Sequence, residues 1–260
     1  MKLVYIETII MANRLSLWIN YHAGTFIIIN RWQKSVENHR RTYQMKNKDY
    51  EVLLFDLDGT VTDSGPGIMK GFEYAINKIK GEDFEKGNLR RFVGPPLESS
   101  FSDILGFDED ETKRAVESYR EYYFDKGIYE NEVYEGIEKV LGELKDRGKK
   151  LSIATSKNTN ATEIVLKYFD LNKYFDFVAT SNFADRKTKS DVIRYALDHF
   201  SGTDKSKILM IGDRLHDVNA ANEIGLDSVG VLWGYGDREE LAKAGATYII
   251  EKPEELTDIY

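Results

Sequence analysis

Short apolar runs alternate with amphipathic stretches along most of this chain. Six runs predict β-strands, and most are continuously apolar, as is typical of strands covered on both faces; they span residues 51–55, 150–154, 175–179, 207–211, 228–232 and 247–250. Between them, apolar residues recur at helical spacing, for example over residues 190–200. This alternation predicts an α/β fold with a doubly wound, Rossmann-like parallel sheet. In such sheets, ligands bind at the carboxyl ends of the strands.

Residues 64–132 interrupt this alternation, because they show helical patterns but no strand pattern. We therefore predict a helical domain, residues 64–132, inserted into a core formed by residues 45–63 and 133–260. Residues 1–44 carry six basic and two acidic side chains, unlike the acidic remainder of the chain. The preferred interpretation is an N-terminal extension that is disordered or not native, and a partner-binding amphipathic arm is the alternative.

Composition and charge exclude several classes of partner. The formal net charge of −8 argues against a nucleic acid polymer, because phosphate backbones require clustered basic residues. No run of about eighteen apolar residues is present, so no membrane span is predicted. The chain has no cysteine, which excludes disulfides and thiolate metal sites and fits a reducing, cytoplasmic location. We expect a monomer or a weak homodimer.

The strongest chemical signal is the pair Asp56 and Asp58, directly after the first predicted strand. Strand side chains alternate faces, so residues two apart point the same way and the two carboxylates lie side by side. Like charges this close are costly unless a cation lies between them, and an oxygen-only ligand set suits Mg²⁺. Asp56 is suited to attack phosphorus and Asp58 to act as general acid and base, with Gly59 permitting the sharp turn that follows. The alternative is a plain turn with two solvated aspartates.

Two further signals lie near the ends of later predicted strands. Thr155 and Ser156 follow the second strand, where a hydroxyl and free backbone N–H groups can hold a phosphate oxygen; capping of the next helix is the alternative. Lys189 lies at the start of a predicted helix and is suited to neutralise charge that develops on phosphoryl oxygens. A solvated surface lysine is the alternative, and Lys187 competes for the role.

Asp213 and Asp217 follow the strand predicted at residues 207–211. Asp213 lies at the strand end and is predicted to complete the metal site. Asp217 is predicted to bind a metal-bound water or to orient Lys189; an aspartate that only favours the helix dipole is the alternative. His216 is predicted to be a surface residue. Because parallel strands end at one edge of the sheet, the four loops are expected to converge on one cation and phosphoryl site.

The order of these motifs resembles that of the haloacid dehalogenase superfamily over roughly residues 50–256. The matching segments are DLDGTVTDS (56–64), ATSK (154–157), TKSDVI (188–193) and GDRLHD (212–217). The resemblance implies that residues 64–132 form a mobile cap. By the same resemblance, the nucleophile is Asp56, the acid/base is Asp58, the phosphate-binding hydroxyl is Thr155, the charge-neutralising lysine is Lys189, and the Mg²⁺ ligands are Asp56, Asp58, Asp213 and Asp217.

Two more stretches, FVGPPL (92–97) and GVLWGYG (230–236), are similar to the branch of bacterial 5'-nucleotidase-like proteins, which is often labelled phosphoglycolate phosphatase. Gly94 belongs to a rigid loop suited to projecting the cap edge into the site, and Arg91 is predicted to contact an anionic substrate. A plain interhelical turn and an exposed arginine are the alternatives. The substrate-binding residues predicted in this way are Gly59, Thr60, Ser156, Gly94 and Arg91.

The resemblance implies a magnesium-dependent phosphatase that hydrolyses the phosphomonoester of a small phosphorylated metabolite through an aspartyl-phosphate. The second aspartate, Asp58, favours phosphoryl chemistry, because dehalogenases of the superfamily generally lack it. Two alternatives stay open. One is a phosphomutase or phosphotransferase of the same fold, and the other is a catalytically inactive module that binds phosphate esters.

Overall fold

The computed structural model describes residues 48–182 and 184–258, so the predicted N-terminal extension, residues 1–44, lies outside the described residues. The strands are β1 (Val52–Phe55), β2 (Thr62–Asp63), β3 (Glu132–Val133), β4 (Lys150–Asn158), β5 (Phe177–Ser181), β6 (Ile208–Gly212), β7 (Asp227–Val231) and β8 (Tyr248–Ile250). The α-helices are α1 (Gly65–Lys80), α2 (Leu97–Ser99), α3 (Glu109–Asp125), α4 (Ile137–Asp146), α5 (Thr159–Tyr168), α6 (Lys189–His199), α7 (Leu215–Ile224) and α8 (Arg238–Ala244).

The main sheet has six strands in the order β5-β4-β1-β6-β7-β8, and every neighbouring pair is parallel. All six predicted strands are present, and the predicted doubly wound α/β fold is confirmed. Strand β1 lies between β4 and β6, with Leu53 opposite Leu151 and Leu209. The loops that follow these three strands therefore meet at one edge of the sheet.

Helices cover both faces of the sheet, which explains why the central strands β1 and β6 are apolar and buried throughout. Val52 and Leu54 of β1 pack in one buried cluster with apolar residues of α6 and α7. Leu53 and Phe55 alternate to the opposite face and are equally buried. Gly225 ends α7 in a left-handed conformation (φ 82°), as a C-terminal glycine commonly does. Among the described residues, no helix is long and apolar enough to cross a membrane.

Residues 64–132 contain α1, α2 and α3 and build a small aromatic core of their own. The ring of Phe72 lies 4.7 Å from that of Phe92 and 5.0 Å from those of Phe101 and Tyr119, between centroids. The segment is bracketed by an antiparallel ribbon that pairs β2 with β3. The sequence pattern did not predict this ribbon, because two-residue strands carry no readable alternation.

Candidate active site

A cavity of about 550 Å³ opens at the carboxyl ends of the parallel strands. Its charged and hydroxyl-bearing lining from the sheet side includes Asp56, Asp58, Thr155, Ser156, Lys157, Lys189 and Asp217. Residues 64–132 contribute a mostly apolar wall that includes Ile68, Phe72, Phe92, Gly94, Tyr119, Tyr123 and Phe124. The cavity thus has one end suited to an anionic group and another suited to the apolar part of a small molecule.

The Lys189 ammonium lies at the centre of the charged end. Its Nζ is 2.9 Å from Asp56 Oδ1 and 2.8 Å from Asp217 Oδ1, and it donates a hydrogen bond to the carbonyl oxygen of Ala154 at 3.1 Å. These three acceptors match the three protons of the ammonium group. Burial alone would lower the pKa of Lys189, but the carboxylates of Asp217 and Asp56 outweigh burial and raise it. Lys189 is therefore a fixed, permanently charged cation.

Lys189 reaches this position because it is the first residue of α6. The Thr188 side chain caps the helix by accepting a hydrogen bond from the backbone N–H of Asp191, in a capping box. Lys187, two residues earlier, is exposed and forms no ion pair among the described residues, although it lines the cavity mouth. The structure thus brings Lys189, and not Lys187, to the carboxylates.

Asp56, Asp213 and Asp217 form a compact acidic cluster, with one carboxylate oxygen of each within 4.8 Å of the others. Burial raises the pKa of Asp56 to about 6, although Lys189 opposes the shift. Burial, with the charges of Asp217 and Asp56, also raises the pKa of Asp213 well above its ordinary value. Three carboxylates beside one ammonium leave an excess of two negative charges, which one divalent cation would neutralise. The donors are all oxygens, so the cluster fits a hard cation such as Mg²⁺.

Asp213 is completely buried and held from two sides. The backbone N–H of Tyr235 donates to Oδ2 at 2.8 Å, and the hydroxyl of Thr60 donates to Oδ1 at 3.4 Å. Gly59 has a φ of +85°, and a Cβ there would lie 2.3 Å from Asp213 Oδ2. Gly59 and Thr60 were predicted to bind substrate, but the turn carries them behind Asp213 and neither lines the cavity. They position the acidic cluster instead.

The Asp58 carboxylate, predicted as a metal ligand, is not part of this cluster. It forms an ion pair with Lys157, whose Nζ lies 2.9 Å from Oδ1 and 2.8 Å from Oδ2. Lys157 also lies 5.1 Å from the ring centroid of Tyr123. Lys157 was not predicted as a functional residue, because the continuation of strand β4 to Asn158, which places Lys157 two residues beyond Thr155, is visible only in the structure.

The second motif lies within β4 and not at a helix start. Thr155 is buried, lines the cavity, and accepts a hydrogen bond from the backbone N–H of Lys157 at 3.2 Å. Asn158 caps α5, because its side chain accepts from the N–H of Ala161. Helix capping by Thr155 is therefore wrong. Ser156 is exposed and lines the cavity, so both hydroxyl residues face the space where a phosphate would bind.

Three other expectations concern the rim of the cavity. Gly94 lines it, as predicted, with a φ of +108°. Arg91 does not line it: the side chain is exposed and lies over the ring of Phe92, at 4.9 Å from the centroid, so contact with a substrate at the charged end is not supported. His216, predicted as a surface residue, is half-buried and lines the cavity.

Comparison with known proteins identifies the family of this chain. The profile of the haloacid dehalogenase-like hydrolase family matches residues 53–231. The chain is similar to a 5'-nucleotidase of Pseudomonas aeruginosa, with 37% identity over 193 residues that cover 74% of this chain and 87% of the relative. It is also similar to the tyrosine-protein kinase PtkA of Mycobacterium tuberculosis, with 34% identity over 201 residues that cover 76% and 68% of the two chains.

A solved structure, described as a predicted phosphatase from Clostridium acetobutylicum, has the same fold. It is 45% identical to this chain, with a TM-score of 0.73, and the match covers 80% of this chain and 96% of that one.

Proposed function

The chain belongs to the haloacid dehalogenase-like hydrolase family, and on that basis we propose that it is a Mg²⁺-dependent phosphatase acting on phosphomonoesters of small metabolites. The observation that carries this proposal is the Lys189 ammonium within 3 Å of both Asp56 and Asp217. Such a cation beside a nucleophilic carboxylate suits the transfer of a phosphoryl group. The relatives named as a nucleotidase and a phosphatase support the same reaction type.

In the first step, a carboxylate oxygen of Asp56 attacks phosphorus. The bond between phosphorus and the ester oxygen breaks, and its electron pair stays on that oxygen. Protonated Asp58 gives its proton to the leaving oxygen, so an alcohol departs and an aspartyl-phosphate remains. Lys189 and the hydroxyl of Thr155 stabilise the charge on the phosphoryl oxygens.

In the second step, a water molecule attacks the phosphorus of the aspartyl-phosphate. Asp58, now a carboxylate, takes one proton from the water. The bond between phosphorus and Asp56 breaks, which releases inorganic phosphate and restores the Asp56 carboxylate. Asp58 ends protonated and ready for the next ester, so the cycle balances.

A divalent cation would be held by Asp56, Asp213 and Asp217, where it supplies positive charge that reduces repulsion between the nucleophile and the phosphate. The acidic cluster fits this assignment because its net charge is unbalanced by Lys189 alone. The backbone N–H of Tyr235 and the hydroxyl of Thr60 donate hydrogen bonds to Asp213 and so hold its carboxylate in the orientation that a cation would require.

Residues 64–132 are proposed to act as a mobile cap. Closure of these residues over the cavity would exclude bulk water and strengthen the electrostatic interactions inside. The ribbon of β2 and β3 marks where both connections to the core pass. A covered cavity of this size favours a small phosphorylated metabolite, such as a 5'-mononucleotide or 2-phosphoglycolate, over a phosphoprotein.

The second candidate function is phosphotransfer, and the similarity to a tyrosine-protein kinase is the observation that favours it. The same aspartyl-phosphate would then pass its phosphoryl group to an acceptor hydroxyl and not to water. Products separate the two functions. A phosphatase releases inorganic phosphate, whereas a transferase labels an acceptor or yields an isomer without free phosphate.

The test is phosphate release from 5'-mononucleotides, 2-phosphoglycolate, sugar phosphates and p-nitrophenyl phosphate, with Mg²⁺ or with EDTA. Asp56→Asn keeps the size of the side chain but removes the nucleophile, so turnover is expected to vanish while the fold is retained. Asp198→Asn is the matched control, because Asp198 is exposed and forms no ion pair among the described residues. Substantial turnover by Asp56→Asn, or undiminished turnover in EDTA, would refute the proposal.

A further inference from the structure

The hydroxyl of Tyr123 is a buried polar group that donates its proton to no acceptor among the described residues, although the Lys157 ammonium lies close enough to interact with it. Tyr123 lies in α3, is only 5% exposed, and lines the cavity. The Lys157 ammonium lies 5.1 Å from the Tyr123 ring centroid, but an ammonium group has only donors and cannot accept the phenolic proton. The hydroxyl therefore retains an unused donor beside the cavity.

An unused buried donor reduces stability, so native proteins contain few of them and each calls for an explanation. Among the described residues, no neighbouring side chain accepts this proton, and the rings around it are aromatic. Tyr119 stacks on Tyr123 with ring centroids 5.4 Å apart, and Phe124 packs edge-on at 5.9 Å. Burial raises the pKa of Tyr123, although Lys157 opposes the shift, so the group stays a protonated donor at neutral pH. A ligand in the cavity is the natural source of an acceptor.

The position of Tyr123 indicates which part of a substrate would supply that acceptor. Lys157 links Tyr123 to Asp58 through the ion pair described above. In the proposed reaction, Asp58 donates a proton to the ester oxygen, whereas Lys189 stabilises the charge on the phosphoryl oxygens. Tyr123 therefore lies on the leaving-group side of the site.

We infer that the Tyr123 hydroxyl donates a hydrogen bond to an oxygen of the leaving group, and so selects phosphomonoesters of hydroxylated alcohols over simple alkyl phosphates. This inference rests on the proposed phosphatase function and adds a specificity residue to it. The neighbouring rings of Tyr119 and Phe124 then pack against the carbon atoms of the leaving group, while the Tyr123 hydroxyl forms a hydrogen bond only with a leaving group that carries an acceptor oxygen.

The experiment compares two near-isosteric pairs of esters: 2-hydroxyethyl with propyl phosphate, and 3-hydroxypropyl with butyl phosphate. The wild-type kcat/KM is expected to favour the hydroxylated member of at least one pair by about tenfold, the effect of one hydrogen bond. Tyr123→Phe is expected to reduce that ratio to about one, because only the donor is removed. The melting temperature of this variant is expected to stay the same or rise.

Tyr122→Phe is the matched control on the same helix. The Tyr122 hydroxyl donates to Glu130 Oε2 at 2.9 Å and does not line the cavity. This variant is expected to keep the wild-type substrate ratio and to lose a little thermal stability. The two tyrosines thus predict opposite patterns of kinetic and thermal change.

Three results would overturn the inference. The first is a wild-type ratio near one for both pairs, and the second is a tenfold ratio that survives in Tyr123→Phe. The third is a clear loss of thermal stability in Tyr123→Phe, which would reveal a structural partner for the hydroxyl. Turnover without discrimination refutes this inference alone, whereas no phosphate release from any ester, p-nitrophenyl phosphate included, refutes the proposed function and the inference together.

Discussion

The acidic cluster predicts that stabilisation by Mg²⁺ depends on pH. The folded-state pKa of Asp56 is about 6 against an ordinary value of 3.8, which corresponds to roughly 3 kcal/mol. Because the pKa of Asp56 is higher in the folded state, its carboxyl group contributes fully to the free energy of unfolding below pH 3.8. This stabilising contribution is lost as the pH rises through about 6. A bound cation offsets the loss, since it binds the ionised form.

Protons therefore compete with Mg²⁺ for the cluster. One pH unit below the pKa of Asp56, the apparent affinity for Mg²⁺ is expected to be about tenfold weaker than at neutral pH, or about 1.4 kcal/mol. At roughly 2–4 °C per kcal/mol for a domain of this size, the rise in melting temperature caused by saturating Mg²⁺ should be about 3–6 °C smaller. Asp213, whose pKa is also raised, adds to this difference.

Thermal denaturation with MgCl₂ or EDTA, at neutral pH and near pH 5, measures the effect. Asp213→Asn keeps the shape of the side chain but removes one ligand charge, so the stabilisation by Mg²⁺ should largely disappear at both pH values. Equal stabilisation at the two pH values would refute the reasoning about proton competition. Full stabilisation of Asp213→Asn would show that the cation binds elsewhere.

Three further predictions concern single side chains. Gly59→Ala combines a positive φ with a clash of the new Cβ against Asp213 and should destabilise the fold by more than about 2 kcal/mol. Gly148→Ala is the control, because Gly148 has a similar φ but open space around it, and it should cost about 1 kcal/mol. Equal losses of unfolding free energy in denaturant would contradict the clash. Lys157→Met removes the two contacts that position the Asp58 carboxyl group, so kcat should fall at least about tenfold more for alkyl phosphates than for p-nitrophenyl phosphate, whose leaving group needs little acid catalysis. Equal losses for the two substrates would show that Lys157 does not position the acid. Tyr235→Phe removes the hydroxyl that accepts from the backbone N–H of Gly65 and donates to Asp63, at the start of the helical residues 64–132. Amide hydrogen exchange at the start of α1 should therefore accelerate while the central strands stay protected. Unchanged exchange at these amides would show that the hydroxyl does not stabilise the start of α1.

Much of the architecture was predictable because it depends on local patterns. The strands β1 and β6 are buried on both faces, so each had to be continuously apolar, and this made them recognisable. Asp56 and Asp213 were recognisable for a related reason. Acidic residues directly after a buried strand are costly unless they serve a site.

The remaining features depend on contacts that sequence patterns do not encode. Strand β4 continues past its apolar run into Thr155 and Lys157, which are polar and line the cavity, and no hydrophobic pattern marks this extension. The turn after Asp58 directs Gly59 and Thr60 behind the site, and only the tertiary path of the backbone reveals that. Arg91 lies one residue away from Phe92, and the turn of a short helix decides which of the two faces inward.

The arrangement around Lys189 restricts what evolution or design can place there. Its three acceptors belong to Asp56, Asp217 and the backbone of Ala154, on three different elements, and all of them lie around a single nitrogen atom. A guanidinium group distributes its donors in a plane over three nitrogens, so arginine is not a conservative replacement in this position. A positive charge alone is therefore insufficient at position 189. The side chain must also have the length of lysine and a tetrahedral ammonium group, because it contacts a strand, a helix and a loop at once.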